Sequence, residues 1–91
     1  MIKSWSDAAW DDFCYWQKQD KKTLKRILAL IKDIDRNGYT GIGKPEPLRE
    51  DLSDYWSRRI DNVNRIVYKI SDDTIFIANA AVIIGINNKR R

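Results

Sequence analysis

The chain holds two prolines, Pro45 and Pro47, and they stand on either side of one carboxylate, Glu46. Each proline fixes its own φ and drives the residue before it out of the helical region. No regular helix runs through such a segment, so Glu46 is expected on a stiff extended loop with little freedom to collapse onto a neighbour. The pattern of the sequence changes across this loop. Apolar residues recur at spacings of three and four before it, and strand-like, arginine-rich runs follow it.

The first 37 residues read as a short strand and two helices. Ile2–Trp5 is a strand candidate. Ser6 is placed to cap a helix from Asp7 to about Lys18, with Asp7 in its first turn complementing the helix dipole. Ala9, Trp10, Phe13, Cys14 and Trp16 or Gln17 trace one face of it. Core packing is the first reading of this aromatic stripe, and stacking of an exposed member on a base is the second. Asp20 is a second cap, for a helix from Lys21 to Asp35 whose apolar stripe is Leu24, Ile27, Leu28, Ile31 and Ile34. Asn37-Gly38 supplies its stop. Lys21, Lys22, Lys25, Arg26 and Lys32 follow its polar side, either as a solvated face or as an electrostatic footing for RNA.

Residues 39–52 form the loop carrying Glu46, entered through Gly41 and Gly43. Strands are predicted at about 55–60, 65–70 and 74–80, joined by Asp/Asn/Ser-rich turns, which describes an antiparallel meander. Alternation puts Trp56, Arg58 and Ile60 on one face and Tyr55, Ser57, Arg59 and Asp61 on the other. In the next strand Ile66, Tyr68 and Ile70 oppose Arg65, Val67 and Lys69. One face is expected to bury against the helices, leaving a basic concave surface on the other. The fold class is therefore α+β: two N-terminal helices on a twisted antiparallel sheet, with residues 1–91 forming one domain.

Composition narrows the function classes. Ninety-one residues make one small core, for which four Trp, four Tyr and two Phe supply large groups. A net charge of +4 favours an anionic partner. One cysteine and no histidine argue against a disulfide and against a zinc or other transition-metal site. No metal or other cofactor is expected. The N-terminus lacks the basic and apolar regions of a signal peptide, and the apolar segment near the C-terminus is too short for an ordinary membrane span. A soluble, cytoplasmic protein is the expectation. A rigid carboxylate near several guanidiniums suits proton abstraction from an anionic substrate, with the arginines stabilising charge on phosphate oxygens.

Trp10-Asp11-Asp12, Tyr15-Trp16-Gln17, Gly43-Lys44-Pro45-Glu46-Pro47-Leu48, Trp56-Ser57-Arg58-Arg59-Ile60 and Arg65-Ile66-Val67-Tyr68 occur in the order and spacing of one family. Through about residue 78 the chain resembles the YoeB (Txe) toxins of the RelE/ParE toxin–antitoxin superfamily. The resemblance implies a metal-independent endoribonuclease that cuts mRNA in the ribosomal A site, using the RNA 2′-hydroxyl as nucleophile. It implies Glu46 as general base and Arg65 as the phosphate-stabilising cation. Lys44, Arg49, Arg58 and Arg59 are implied as RNA or phosphate contacts, an ordinary strand–loop salt bridge being the rival role for Arg58 and Arg59. Implied partners are a YefM-like antitoxin and the mRNA-loaded ribosome, with pairing of the chain into a homodimer left open and no membrane involved. Gyrase inhibition, as in the ParE branch, fits the motifs less well.

The tail departs from the family, which ordinarily ends in His-Tyr, the histidine acting as general acid. Here residues 79–91 are atypical: Ala80-Ala81-Val82-Ile83-Ile84-Gly85-Ile86 and then Asn87-Asn88-Lys89-Arg90-Arg91. A change of reading frame after about Asn79 and a natural variant lineage both account for this. An aliphatic side chain donates no proton, so catalysis is expected to be impaired. The alternative is a non-cleaving protein that binds its antitoxin, and the ribosome, and acts in operon autorepression. The segment Ile75–Ile86 is apolar and β-prone, suited to extending the last strand or pairing at an edge.

Overall fold

The computed structural model describes residues 1–82. Its elements are β1 (Ile2–Trp5), α1 (Asp7–Gln19), α2 (Lys21–Asn37), β2 (Glu46–Pro47), β3 (Trp56–Arg59), β4 (Asn64–Ser71) and β5 (Thr74–Val82), with a short 3₁₀ turn at Glu50–Leu52. Both predicted caps are present. The Ser6 side chain accepts from the Ala9 N–H, and Asp20 accepts from the N–H groups of Lys22 and Thr23. Gly38, at φ 69°, ends α2 and donates its N–H to the Ile34 carbonyl.

The five strands form one sheet in the order β1-β5-β4-β3-β2. Strands β2 to β5 pair antiparallel as the meander requires, whereas β1 joins β5 in parallel, so the sheet is mixed. Two intervening helices make that parallel return possible, and turn chemistry alone carries no signal for it. Both helices cover one face. Ala9 of α1 and Ile27, Leu30, Ile31 and Ile34 of α2 pack with Ile60, Ile66, Tyr68, Ile75, Ile77 and Ala80. Leu30 replaces the expected Leu28, which is 47% exposed. Tyr39 stacks on Trp56 with ring centroids 4.6 Å apart, and its hydroxyl accepts the Ile70 N–H at 2.8 Å.

Register shifts between Val67 and Tyr68, where Ala78 is the extra residue on β5. This bulge changes which residues face the helices, so Ile77 and Ala80, three apart, both enter the core. It lies where β1 has run out. Beyond Ile77 the outer edge of β5 is served by α1: Ser6 Oγ donates to the Ala78 carbonyl at 2.8 Å, Trp16 Nε1 donates to the Ala80 carbonyl at 2.8 Å, and the Ala80 N–H donates to Asp12 at 2.9 Å. The Trp10-Asp11-Asp12 and Tyr15-Trp16-Gln17 motifs thus have a structural use. Trp10 is 50% exposed and stacks on Phe13, within the helix layer. Arg26 is not simply solvated, since its guanidinium donates to the carbonyls of Arg59 and Ile60.

Among the described residues no helix is long and apolar enough to cross a membrane. No group of three or more His, Cys, Asp or Glu among them is placed to hold a metal. The aliphatic residues Ile83–Ile86 and the basic end of the tail lie outside the described residues.

Candidate functional site

Glu46 sits on the two-residue edge strand β2, which is extended as the flanking prolines demand, although it pairs with the sheet instead of standing on a free loop. Pro47 has no N–H to offer, which an edge strand tolerates. Glu46 lies directly opposite Ser57, and Pro47 opposite Trp56. Trp56 packs against the core, so Glu46 and Ser57 occupy the face that no helix covers. Ser57 Oγ accepts a hydrogen bond from Arg65 Nη1 at 3.3 Å. Arg65 lies directly across from Arg59 on the same face.

Directly opposed side chains start about 4.5–5.5 Å apart at Cβ. One exposed carboxylate, one buried hydroxyl and two guanidiniums are therefore neighbours on the sheet face away from the helices, where Ser57 is 1% exposed. Two like charges held directly opposite each other are unfavourable by themselves, and an anion between them relieves the repulsion. A phosphodiester fits that description.

Arg58, expected among the phosphate contacts, is instead buried, with 0% of it exposed. Its five N–H groups meet five acceptors: Nε to the Tyr68 hydroxyl (3.1 Å), Nη1 to Asp33 and the Ile42 carbonyl (3.1 Å), and Nη2 to the carbonyls of Gly38 (2.8 Å) and Thr40 (2.7 Å). No donor remains for a phosphate. The salt-bridge reading applies to this residue, and what it secures is the loop leading to Glu46. The Asp33 carboxylate also accepts the Ile42 N–H at 3.1 Å. A Cβ at Gly41 would stand 1.9 Å from Asp33 Oδ2, so the loop can lie this close only with glycine there. The Gly43 carbonyl then accepts the Arg59 N–H at 2.7 Å, delivering the chain to Lys44. Lys44 has a left-handed φ of 51°, where the proline rule suggested an extended backbone, and such a residue costs on the order of 1 kcal/mol or more.

Lys44 and Arg49 are both exposed, one on each side of β2 along the chain. A cleft of about 330 Å³ is bounded by Glu46, Pro47, Leu48, Arg49 and Glu50. The structure thus gathers Glu46, Arg59 and Arg65 on one face, puts Arg49 beside the carboxylate's cleft, and removes Arg58. Ser57, which the sequence did not mark as a site residue, lies between Glu46 and Arg65. Strand alternation had already placed it beside Arg59, and that was the available signal.

The hydrogen bond from Arg58 holds the Asp33 carboxyl below its ordinary value of 3.8, helped by the Ile42 N–H and Asn37 and opposed by desolvation. A carboxylate whose folded pKa is depressed contributes stability above its unfolded value, and that contribution is lost as pH falls through the folded one. Denaturant midpoints should therefore drop on acidification below about pH 4. Asp20 and Asp35 are lowered too and share in the acid loss. Asp33→Asn should lower the midpoint at neutral pH and make the remaining acid dependence shallower than in the parent chain. Parallel midpoint-versus-pH curves for the two proteins would refute the assignment.

The combination of two helices on a mixed five-stranded sheet with a bare face is that of small toxins from toxin–antitoxin pairs. It superimposes on the YoeB/ParE toxin from Agrobacterium tumefaciens with a TM-score of 0.90 at 35% identity, covering 92% of this chain and 100% of that one. The YoeB–YefM heterotetramer from Staphylococcus aureus gives a TM-score of 0.87 at 44% identity, covering 92% and 98%. In sequence the chain is 51% identical over 74 residues to Toxin YoeB of Escherichia coli, covering 81% of this chain and 88% of the relative. Residues 5–82 match the family model described as YoeB-like toxin of bacterial type II toxin-antitoxin system, and the chain belongs to that family. The match continues to Val82, a few residues past the expected end of the resemblance near 78.

Proposed function

We propose that this toxin offers its helix-free sheet face to mRNA in the ribosomal A site. Glu46 takes the proton from the RNA 2′-hydroxyl, and Arg65, with Arg59 opposite it, stabilises negative charge on the attacked phosphate. Lys44 and Arg49 flank the carboxylate and hold the adjoining backbone. The observation that carries this reading is the run Glu46–Ser57–Arg65 across three neighbouring strands, closed by the hydrogen bond from Arg65 to Ser57. No cofactor enters the reaction.

The third requirement, a proton for the departing 5′-oxygen, is unmet by histidine because the chain has none. Loss of a general acid costs about 10²- to 10⁴-fold in rate. Cleavage by this chain is accordingly impaired. The same absence favours a second reading, in which the chain binds a YefM-like antitoxin and the ribosome without cutting. Complexes of YoeB with YefM, and a YoeB dimer, are known for the Staphylococcus aureus relative.

Toe-printing of mRNA on programmed ribosomes tests both. Whatever cleavage the chain supports, native or after restoration of a His-Tyr ending, should fall about 10²-fold or more in Glu46→Gln and by a similar factor in Arg65→Ala. Cleavage that survives Glu46→Gln undiminished would remove the base from this scheme. Arrested translation with intact mRNA would select the binding-only reading.

A further inference from the structure

On the same face, one step along the strands from the buried Ser57 and Val67, lies a second, partly exposed group of side chains. Lys69 of β4 is directly opposite Phe76 of β5. Tyr55 immediately precedes β3 and flanks Lys69 from the other side. The Lys69 ammonium is 5.2 Å from the Tyr55 ring centroid and 5.8 Å from that of Phe76. All three side chains are partly exposed. Among the described residues no helix packs over this face, and the two rings stand outside the helix-side core.

We propose that Tyr55, Lys69 and Phe76 form a nucleotide subsite, which receives the base and phosphate next to the nucleotide being attacked. The inference rests on the mRNA-binding reading above and adds a site to it. Spacing is the first argument. Successive side chains on one face of a strand are two residues apart, about 6.7 Å, a distance comparable to one nucleotide of extended single strand. The rows Arg59–Arg65, then Glu46–Ser57–Val67, then Tyr55–Lys69–Phe76 therefore advance along the face in nucleotide-sized steps.

Chemistry is the second argument. Aromatic rings beside a cation on an open face are what single-stranded nucleic acid requires, since bases stack on the rings and the ammonium meets the backbone. Sequence preference at such a subsite comes from stacking strength, not from hydrogen-bonded readout. Lys69 shares the face with Arg59 and Arg65, two rows away across the row of Glu46, and three cations spread over one face favour a polyanion over an acidic peptide covering only part of it.

Photo-crosslinking of the complete chain to programmed ribosomes tests this directly. The probe is a short mRNA carrying 5-iodouridine at each position of the A-site codon and of its two flanking nucleotides, with adducts mapped by mass spectrometry. Adducts on Tyr55 or Phe76 from a single nucleotide position are expected. Tyr55→Ala and Lys69→Met should weaken binding to programmed ribosomes roughly fivefold or more, with thermal unfolding unchanged. Ribosome binding that depends on Arg65, with adducts only elsewhere and full affinity in both variants, overturns the subsite and leaves the mRNA reading standing. No binding to programmed ribosomes by the parent chain overturns both. Loss of antitoxin binding alone in the two variants makes the row a protein contact and overturns the proposal.

Discussion

Arg58→Ala should leave the protein unfolded or nearly so, lowering stability by at least about 3 kcal/mol. The side chain is completely buried, and its removal strips donors from three carbonyls, one hydroxyl and the Asp33 carboxylate at once. A buried acceptor without a partner costs about 1–3 kcal/mol, and although the loop carbonyls are only part-buried and water can reach them, the Arg58 side chain itself leaves a fully buried space. A domain's entire stability is about 5–15 kcal/mol, so the loss is a large share of it. Arg58→Lys rescues little, because an ammonium has three donors and no planar fork to meet five acceptors. Arg59→Ala, one residue along on the exposed face, should stay within about 0.5 kcal/mol of the parent, because its structural hydrogen bonds are made by the backbone. Urea unfolding of the three variants measures this contrast. Equal midpoints for Arg58→Ala and Arg59→Ala would show that the buried clamp is not what holds the loop.

Replacing the residues after Val82 with His-Tyr should raise mRNA cleavage on ribosomes by about 10²- to 10⁴-fold. The graft begins there because β5 runs to Val82 and the family match extends equally far. Ala80 is already fixed on both of its backbone groups by Asp12 and Trp16, so it belongs to the scaffold and should be kept. Each tenfold gain corresponds to 1.36 kcal/mol of barrier, and the expected range is about 3–5 kcal/mol. Toe-printing beside the parent chain gives the answer. Equal, efficient cleavage by both would mean that another group supplies the proton and that the tail is not the defect. Cleavage by neither would argue that this face is a binding surface only.

Several parts of this outcome were legible in the residues. Ser6 and Asp20 announce their helices because few side chains satisfy free N–H groups so well, and two prolines around Glu46 leave the backbone almost no choice. Arg58 shows where such reading stops. Alternation had already set it on the side of Trp56 and Ile60, which is the core side, but an arginine in a basic run reads as a surface cation until its acceptors are known. Three of those five acceptors are main-chain carbonyls of residues 38–42, contributed by a loop that sequence describes only as a turn. The Ala78 bulge and the parallel pairing of β1 were hidden for a related reason. Each depends on a partner distant in the chain, and local periodicity reports only on neighbours. Leu28 and Leu30 differ by a rotation of the helix that apolar spacing alone does not fix.

Among the described elements, β5 comes last in the chain and is one of the most heavily paired. It joins β1 to β4, and its outer edge past Ile77 is completed by side chains of α1. Until it emerges from the ribosome, β1 has no sheet to join and α1 has lost the strand that its polar groups serve. The sheet is thus closed by an event between residues more than 60 positions apart, the kind of contact that folding reaches late. A nascent chain therefore holds the Glu46–Arg65 face before it holds the tertiary frame that steadies it. A partner that recognises the completed sheet can therefore engage this chain only after β5 has been released.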